Sequence, residues 1–96
     1  MDYLLKTRCT KGYLVVYENK VSLELQSLGV DNESSLPYSQ ITGVEVKTTM
    51  AAIPILSKGK ATVTVFSKGD QKLIAGMVDL KDAKRIKEII EEKIAL

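Results

Sequence analysis

The chain has 96 residues, 45% of them hydrophobic and 27% charged, with a formal net charge of +2, a balance typical of one soluble globular domain. It contains no histidine and one cysteine, which excludes imidazole catalysis, histidine metal ligation, an internal disulfide and a zinc cluster. The net charge is too small to imply a nucleic-acid or acidic-membrane partner on its own, although nine of the fourteen basic residues lie beyond residue 48.

One domain over residues 1–96 is expected. A chain this short buries only roughly 60–65% of the surface its unfolded form exposes, so a single core has to absorb most of the apolar positions. Nothing around Met1–Asp2 resembles a signal peptide and no apolar run reaches membrane-spanning length, so a reducing, cytoplasmic setting is expected. Cys9 then reads as a small, partly buried residue, because Arg8 and Lys11 only faintly favour a thiolate.

The strongest local signal is GYLVVYENKVSLEL, Gly12 to Leu25, two β-rich runs around a turn centred on Asn19. The second run alternates, with Val21, Leu23 and Leu25 on one face and Ser22, Glu24 and Gln26 on the other. A two-residue loop pairs even positions with odd ones, placing Leu14 and Val16 in the core and turning Tyr13, Val15 and Tyr17 outward, with Val15 exposed. A loop of odd length with a bulge would reverse this. Tyr13 and Tyr17 lack a surrounding basic patch in this reading, which argues against single-stranded nucleic acid as a partner.

QSLGVDNESS, residues 26 to 35, mixes turn formers with Leu28 and Val30 and reads as a loop or a frayed strand end. Pro37 has no N–H and holds Leu36 extended, so Leu36 to Tyr38 suits a brief edge strand. Ser39-Gln40-Ile41 makes one turn that drops Ile41 into the core. Thr42-Gly43 then restarts the chain as a strand, with Val44 and Val46 inward and Glu45 and Lys47 outward.

The apolar run Met50 to Leu56 is interrupted by Pro54 and followed by Lys58, Gly59 and Lys60. It reads first as a packed strand or loop; should it be surface, Met50, Ile53, Ile55 and Leu56 form the candidate interface. ATVTVFS and QKLIAGMV make a second hairpin about Ser67-Lys68-Gly69-Asp70. The ending is a helix over about 80–95, with Asp79 as N-cap and Asp82 favouring the N-terminal dipole. Leu80, Ala83, Ile86, Ile89, Ile90 and Ile94 form its apolar stripe. Strands are thus expected within about 12–78.

Six or seven short antiparallel strands closed by one amphipathic helix outline a small barrel plugged by that helix. The string LPYSQITGVEVK, placed after a first hairpin and before a strand-turn-strand and a terminal helix, resembles the bacterial pleckstrin-homology-like domains, in which an Ile-Pro-Tyr-x-x-Ile-x-x-Val-like segment recurs. The resemblance runs from about Gly12 to Ile94 in element order. It implies a PH-like barrel of two nearly orthogonal antiparallel sheets capped by the helix, with Ile41 and Val44 in the core. Eukaryotic PH domains that bind phosphoinositides carry basic residues in the loop between their first two strands. The turn taken to correspond, Glu18-Asn19-Lys20, is tight and nearly neutral, so inositol phosphate is not expected.

The bacterial domains are non-catalytic modules that often self-associate into rings or are fused to membrane segments, which implies protein-protein contact and a homo-oligomer. No catalytic residue, metal or cofactor is expected. Gly12, Gly59, Gly69 and Gly76 belong to no phosphate-binding loop, and the carboxylates fall in loops, turns or a solvated helix face. The alternative is a peripheral module on an anionic membrane surface, contacted through Lys58, Lys60 and Lys68.

Overall fold

The computed structural model describes residues 2–27, 29–48 and 59–95. They form strands β1 (Leu5–Cys9), β2 (Gly12–Val16), β3 (Lys20–Ser27) and β4 (Val30–Pro37), a 3-10 turn at Tyr38–Gln40, strands β5 (Ile41–Thr48), β6 (Lys60–Ser67) and β7 (Lys72–Asp79), and helix α1 (Leu80–Ile94). The strands build two antiparallel sheets, one in the order β1-β2-β3-β4 and one in the order β5-β6-β7. The architecture is mostly β with one C-terminal helix, as the sequence implies, but the sheets do not merge into one closed barrel.

The β2–β3 hairpin has the two-residue loop expected of it: Tyr17 N donates to Lys20 O at 2.8 Å, and Val16 pairs with Val21 and Leu14 with Leu23. All four of these apolar side chains are buried, and Leu25 packs against them. Facing them are Val63 and Val65 of β6, Leu73 and Val78 of β7, and Ala83, Ile86 and Ile90 of α1. The alternation of each strand and the stripe of the helix thus converge on one core. Asp79 caps α1 by accepting from Lys81 N at 3.0 Å. Asp82 does more than favour the helix dipole, because the buried Thr7 of β1 donates to it through Oγ1 at 2.8 Å.

Two elements depart from the sequence reading. Residues 5–9 form β1, before the expected start of the strands, with Thr7 and Cys9 buried and Lys6 and Arg8 exposed. The stretch read as a loop is most of β4, paired to β3 from Lys20↔Pro37 to Ser27↔Val30. Its sequence hid it, because on an outermost strand Asp31, Asn32, Glu33 and Ser34 are all exposed and alternation carries no hydrophobic signal. Pro37 ends the strand, the 3-10 turn follows, and Ile41 is buried beyond it, as expected.

One β-bulge joins the sheets. Ala61 pairs with Val78 and Val63 with Ala75, so Gly76 and Met77 both stand opposite Thr62. Met77 takes φ 55° there, in the left-handed region. The same bulge presents Gly76 O to Thr10 N of the β1–β2 turn at 2.9 Å. In that turn Gly12 lies so close to β3 that a Cβ on it would stand 1.8 Å from Glu24 O, so only glycine fits.

Val15 is a further correction. It points to the outer face, as the register requires, yet it is only 1% exposed. It sits between Lys6 and Ser22 on the neighbouring strands and between Tyr13 and Tyr17 on its own, and Ser22 beside it is fully buried as well. Val15→Asp and Val16→Asp are therefore both expected to cost more than about 2 kcal/mol by denaturant unfolding, since each puts a carboxylate in a buried position, at 16 between Leu5 and Val21 and at 15 with only the exposed Lys6 opposite. A small effect at Val15 alone would mean that its surroundings open to water. In α1, Ile90→Ala should cost about 2–5 kcal/mol, whereas Lys87→Ala, which loses only the surface pair with Glu91, should cost about 0.5 kcal/mol or less.

Candidate interaction surfaces

The expected candidate interface, Met50, Ile53, Ile55 and Leu56, lies outside the described residues, as does Lys58. Lys60 begins β6 and Lys68 lies in the turn after it, so the two stand at opposite ends of a strand and form no common patch. What the structure assembles instead is the outer face of the four-stranded sheet. Four cross-strand rows make it up: Lys6–Val15–Ser22–Ser35, Arg8–Tyr13–Glu24–Glu33, Tyr17–Lys20–Pro37, and Gln26–Asp31. Leu4, just before β1, is exposed and bonds through its N–H to Val16 O at 2.7 Å.

β1 corrects the view that Tyr13 and Tyr17 lack basic neighbours. Lys6 Nζ lies 4.6 Å from the Tyr13 ring centre and Lys20 Nζ lies 5.1 Å from that of Tyr17. Such contacts are worth about 0.5–1 kcal/mol each at exposed sites. The alternation Lys6-Thr7-Arg8-Cys9 is the sequence signal that would have found this patch. The turn between the first two strands is therefore Thr10–Lys11 rather than Glu18-Asn19-Lys20.

Charge divides across this face. Lys6 and Arg8 lie on β1, whereas Glu24, Asp31 and Glu33 lie on β3 and β4, where Lys20 at the start of β3 is the cation of that side. The phenols respond to their surroundings: hydrogen bonding and charge from Arg8 hold the Tyr13 pKa below the usual value, while desolvation, then the charges of Glu24 and Glu33, raise that of Tyr17. Beneath them the Ser22 hydroxyl, fully buried, is satisfied by that of Ser35 at 2.7 Å. Behind the β2–β3 turn, Tyr38 donates to Tyr17 O at 2.6 Å, and burial pushes its pKa up to about 12.

The outermost strand β4 supplies a second surface. Tyr17 N bonds to Lys20 O and Gln26 N bonds to Lys11 O, so the even-numbered residues of β3 bond towards β2. Antiparallel alternation then directs the odd-numbered ones to β4, where Asn32, Ser34 and Leu36 receive them. The backbone groups of Asp31, Glu33 and Ser35 point away from the sheet. Pro37 belongs to that outward set, which is why a proline there breaks no ladder bond.

Other exposed apolar side chains are Phe66, Ile74 and Met77 of the second sheet. Cys9 is buried, and desolvation raises its thiol pKa. Among the described residues no group of three or more Cys, Asp or Glu is placed to hold a metal ion. Likewise, no helix there is long and apolar enough to cross a membrane. Compared with protein-family models, with curated proteins and with solved structures, the chain matches none.

The tyrosines offer a check of these surroundings. In an alkaline titration followed by phenolate absorbance or by ring carbon shifts, Tyr13 should ionise first, Tyr17 later and Tyr38 last. Because the folded-state pKa of Tyr38 lies above its unfolded value near 10, its contribution to stability is complete below about pH 10 and is lost as pH rises towards 12. Tyr38→Phe should remove that alkaline loss.

Proposed function

We propose that this chain is a non-enzymatic interaction or assembly module of pleckstrin-homology-like type, acting through protein-protein contacts and self-associating. One observation carries the reading: β4 is a full-length outermost strand whose backbone donors and acceptors at Asp31, Glu33 and Ser35 face outward. An added strand satisfies such groups, and two acidic side chains and a terminal proline only partly guard the edge. The succession of four strands, three strands and a helix, with a buried Ile41 after Pro37-Tyr38, supports a PH-like arrangement. A reducing, cytoplasmic setting accords with the lone, buried Cys9. The alternative, an anionic membrane surface bound through Lys58, Lys60 and Lys68, has less support, since Lys60 and Lys68 stand at opposite ends of β6.

Light scattering after size exclusion tests self-association: an oligomer at tens of micromolar is expected, and a monomer there overturns the reading. Glu33→Pro removes the outward N–H at mid-strand, whereas Glu33→Gln keeps it and removes only the charge. Edge pairing is supported if the first abolishes assembly and the second does not; loss in both assigns the contact to the Glu33 side chain instead.

A further inference from the structure

We infer that the outer face of the four-stranded sheet docks against the same face of a second copy about a two-fold axis parallel to the strands, running between β2 and β3. The inference rests on the proposed self-association and names a different surface for it from the β4 edge.

The argument is the charge pattern of the rows. A two-fold axis in that position lays β1 over the partner's β4 and β2 over the partner's β3, keeping each row at its own height. The central row Arg8–Tyr13–Glu24–Glu33 then meets its own reverse. Arg8 faces the partner's Glu33, and Tyr13 faces the partner's Glu24. In the row through the β2–β3 turn, Lys20 faces the partner's Tyr17, extending the cation–ring contact already present within one chain. The third row sets Lys6 against Ser35 and Val15 against Ser22. No row opposes like charges.

The other in-plane axis, across the strands, stacks β1 on β1 and places Lys6 and Arg8 together, with Glu24 and Glu33 doing the same on the far side. Like-charge apposition excludes it. Aligned sheets pack with roughly a 30° rotation, so the central row aligns best and the outer rows are skewed.

Within one chain Arg8 meets the Tyr13 hydroxyl and Glu24 that of Tyr17. The ion pairs among the described residues are Arg85–Glu88, Lys87–Glu91 and Lys93–Glu18, and none includes Lys6, Arg8, Glu24 or Glu33. The split also selects the partner: a polyanion meets repulsion over β3 and β4 and a polycation meets it over β1, whereas a second copy carries both signs in the complementary order.

Four strands about 4.8 Å apart, at about 3.4 Å per residue, cover roughly 400 Å². That is about half of what each partner buries in an interface of standard size. The dimer is therefore weak and sensitive to salt, yet populated at the tens of micromolar at which self-association is tested.

Reciprocal charge exchange provides the test. Sedimentation velocity over 20–500 μM protein, at about 50 and 500 mM salt, compares the unaltered chain, Arg8→Glu, Glu33→Arg and an equimolar mixture of the two variants. Each variant alone places like charges in both symmetry-related contacts and should dimerise at least about tenfold more weakly. In the mixture the two substituted side chains meet each other in one symmetry-related contact, and the retained Arg8 and Glu33 meet in the other, so a heterodimer should recover the original affinity. Far-UV circular dichroism accompanies each sample. A variant that unfolds is replaced by Arg8→Gln or Glu33→Gln, which should weaken the dimer in the same direction.

An unaltered chain that stays monomeric overturns this proposal together with self-association. Dimers that persist in both charge variants, or a mixture that fails to recover, overturn the face alone. If Glu33→Pro nevertheless abolishes such dimers, the β4 edge is the contact. Capture of acidic or basic peptides by a chain that remains monomeric also overturns it, assigning the face to a different partner.

Discussion

The pairing of Tyr17 with Lys20 across the two-residue turn Glu18-Asn19 sets the order of the whole first sheet. With that one register in place, parity decides the rest. Odd residues of β3 face the core and even ones face out, and the same parity sends alternate backbone groups to β2 or to β4. A slip of one residue would expose Val21 and Leu23 and bury Glu24, a loss of several buried apolar side chains combined with an unpaired charge. Pro37 is compatible with the sheet only because this parity assigns it to the free side.

The second sheet and the helix are positioned by polar contacts at sites where hydrophobic packing alone is indifferent to orientation. Thr7 bonds Asp82 and Thr10 bonds Gly76, so β1 is tied to α1 on one side and to β7 on the other. The link to β7 depends on the bulge at Gly76-Met77, which holds a non-glycine residue in the left-handed region. Local strain of this kind costs of order 1 kcal/mol and persists because the surrounding pairing overdetermines it. Lys93 at the end of α1 reaches Glu18 in the β2–β3 turn, so the turn that sets the register is also held by the helix.

The outer face of this sheet is unusual in holding a buried valine and a buried serine among charged and aromatic side chains. That arrangement makes the face both a part of the fold and a surface. The Tyr13 hydroxyl meets Arg8, and that of Tyr17 meets Glu24. The two tyrosine pKa values are displaced in opposite directions, that of Tyr13 by Arg8 and that of Tyr17 first by desolvation and then by Glu24 and Glu33.

The alternation of Val21, Leu23 and Leu25, the loop at Glu18-Asn19, the second hairpin and the apolar stripe of α1 were all legible in the sequence. Each rests on a local periodicity that burial of one face imposes. β4 was not legible, because an outermost strand satisfies its backbone through a neighbour and leaves its side chains in solvent, so DNESS has no apolar period to show. β1 was missed for a related reason: Thr7 is buried through a hydrogen bond to a carboxylate 75 positions away, a partner that local reading cannot supply. The burial of Val15, the division of charge across the rows and the strained Met77 were decided by tertiary structure alone. Each depends on which residues stand opposite one another across strands distant in sequence, and composition and spacing along one strand carry no information about that.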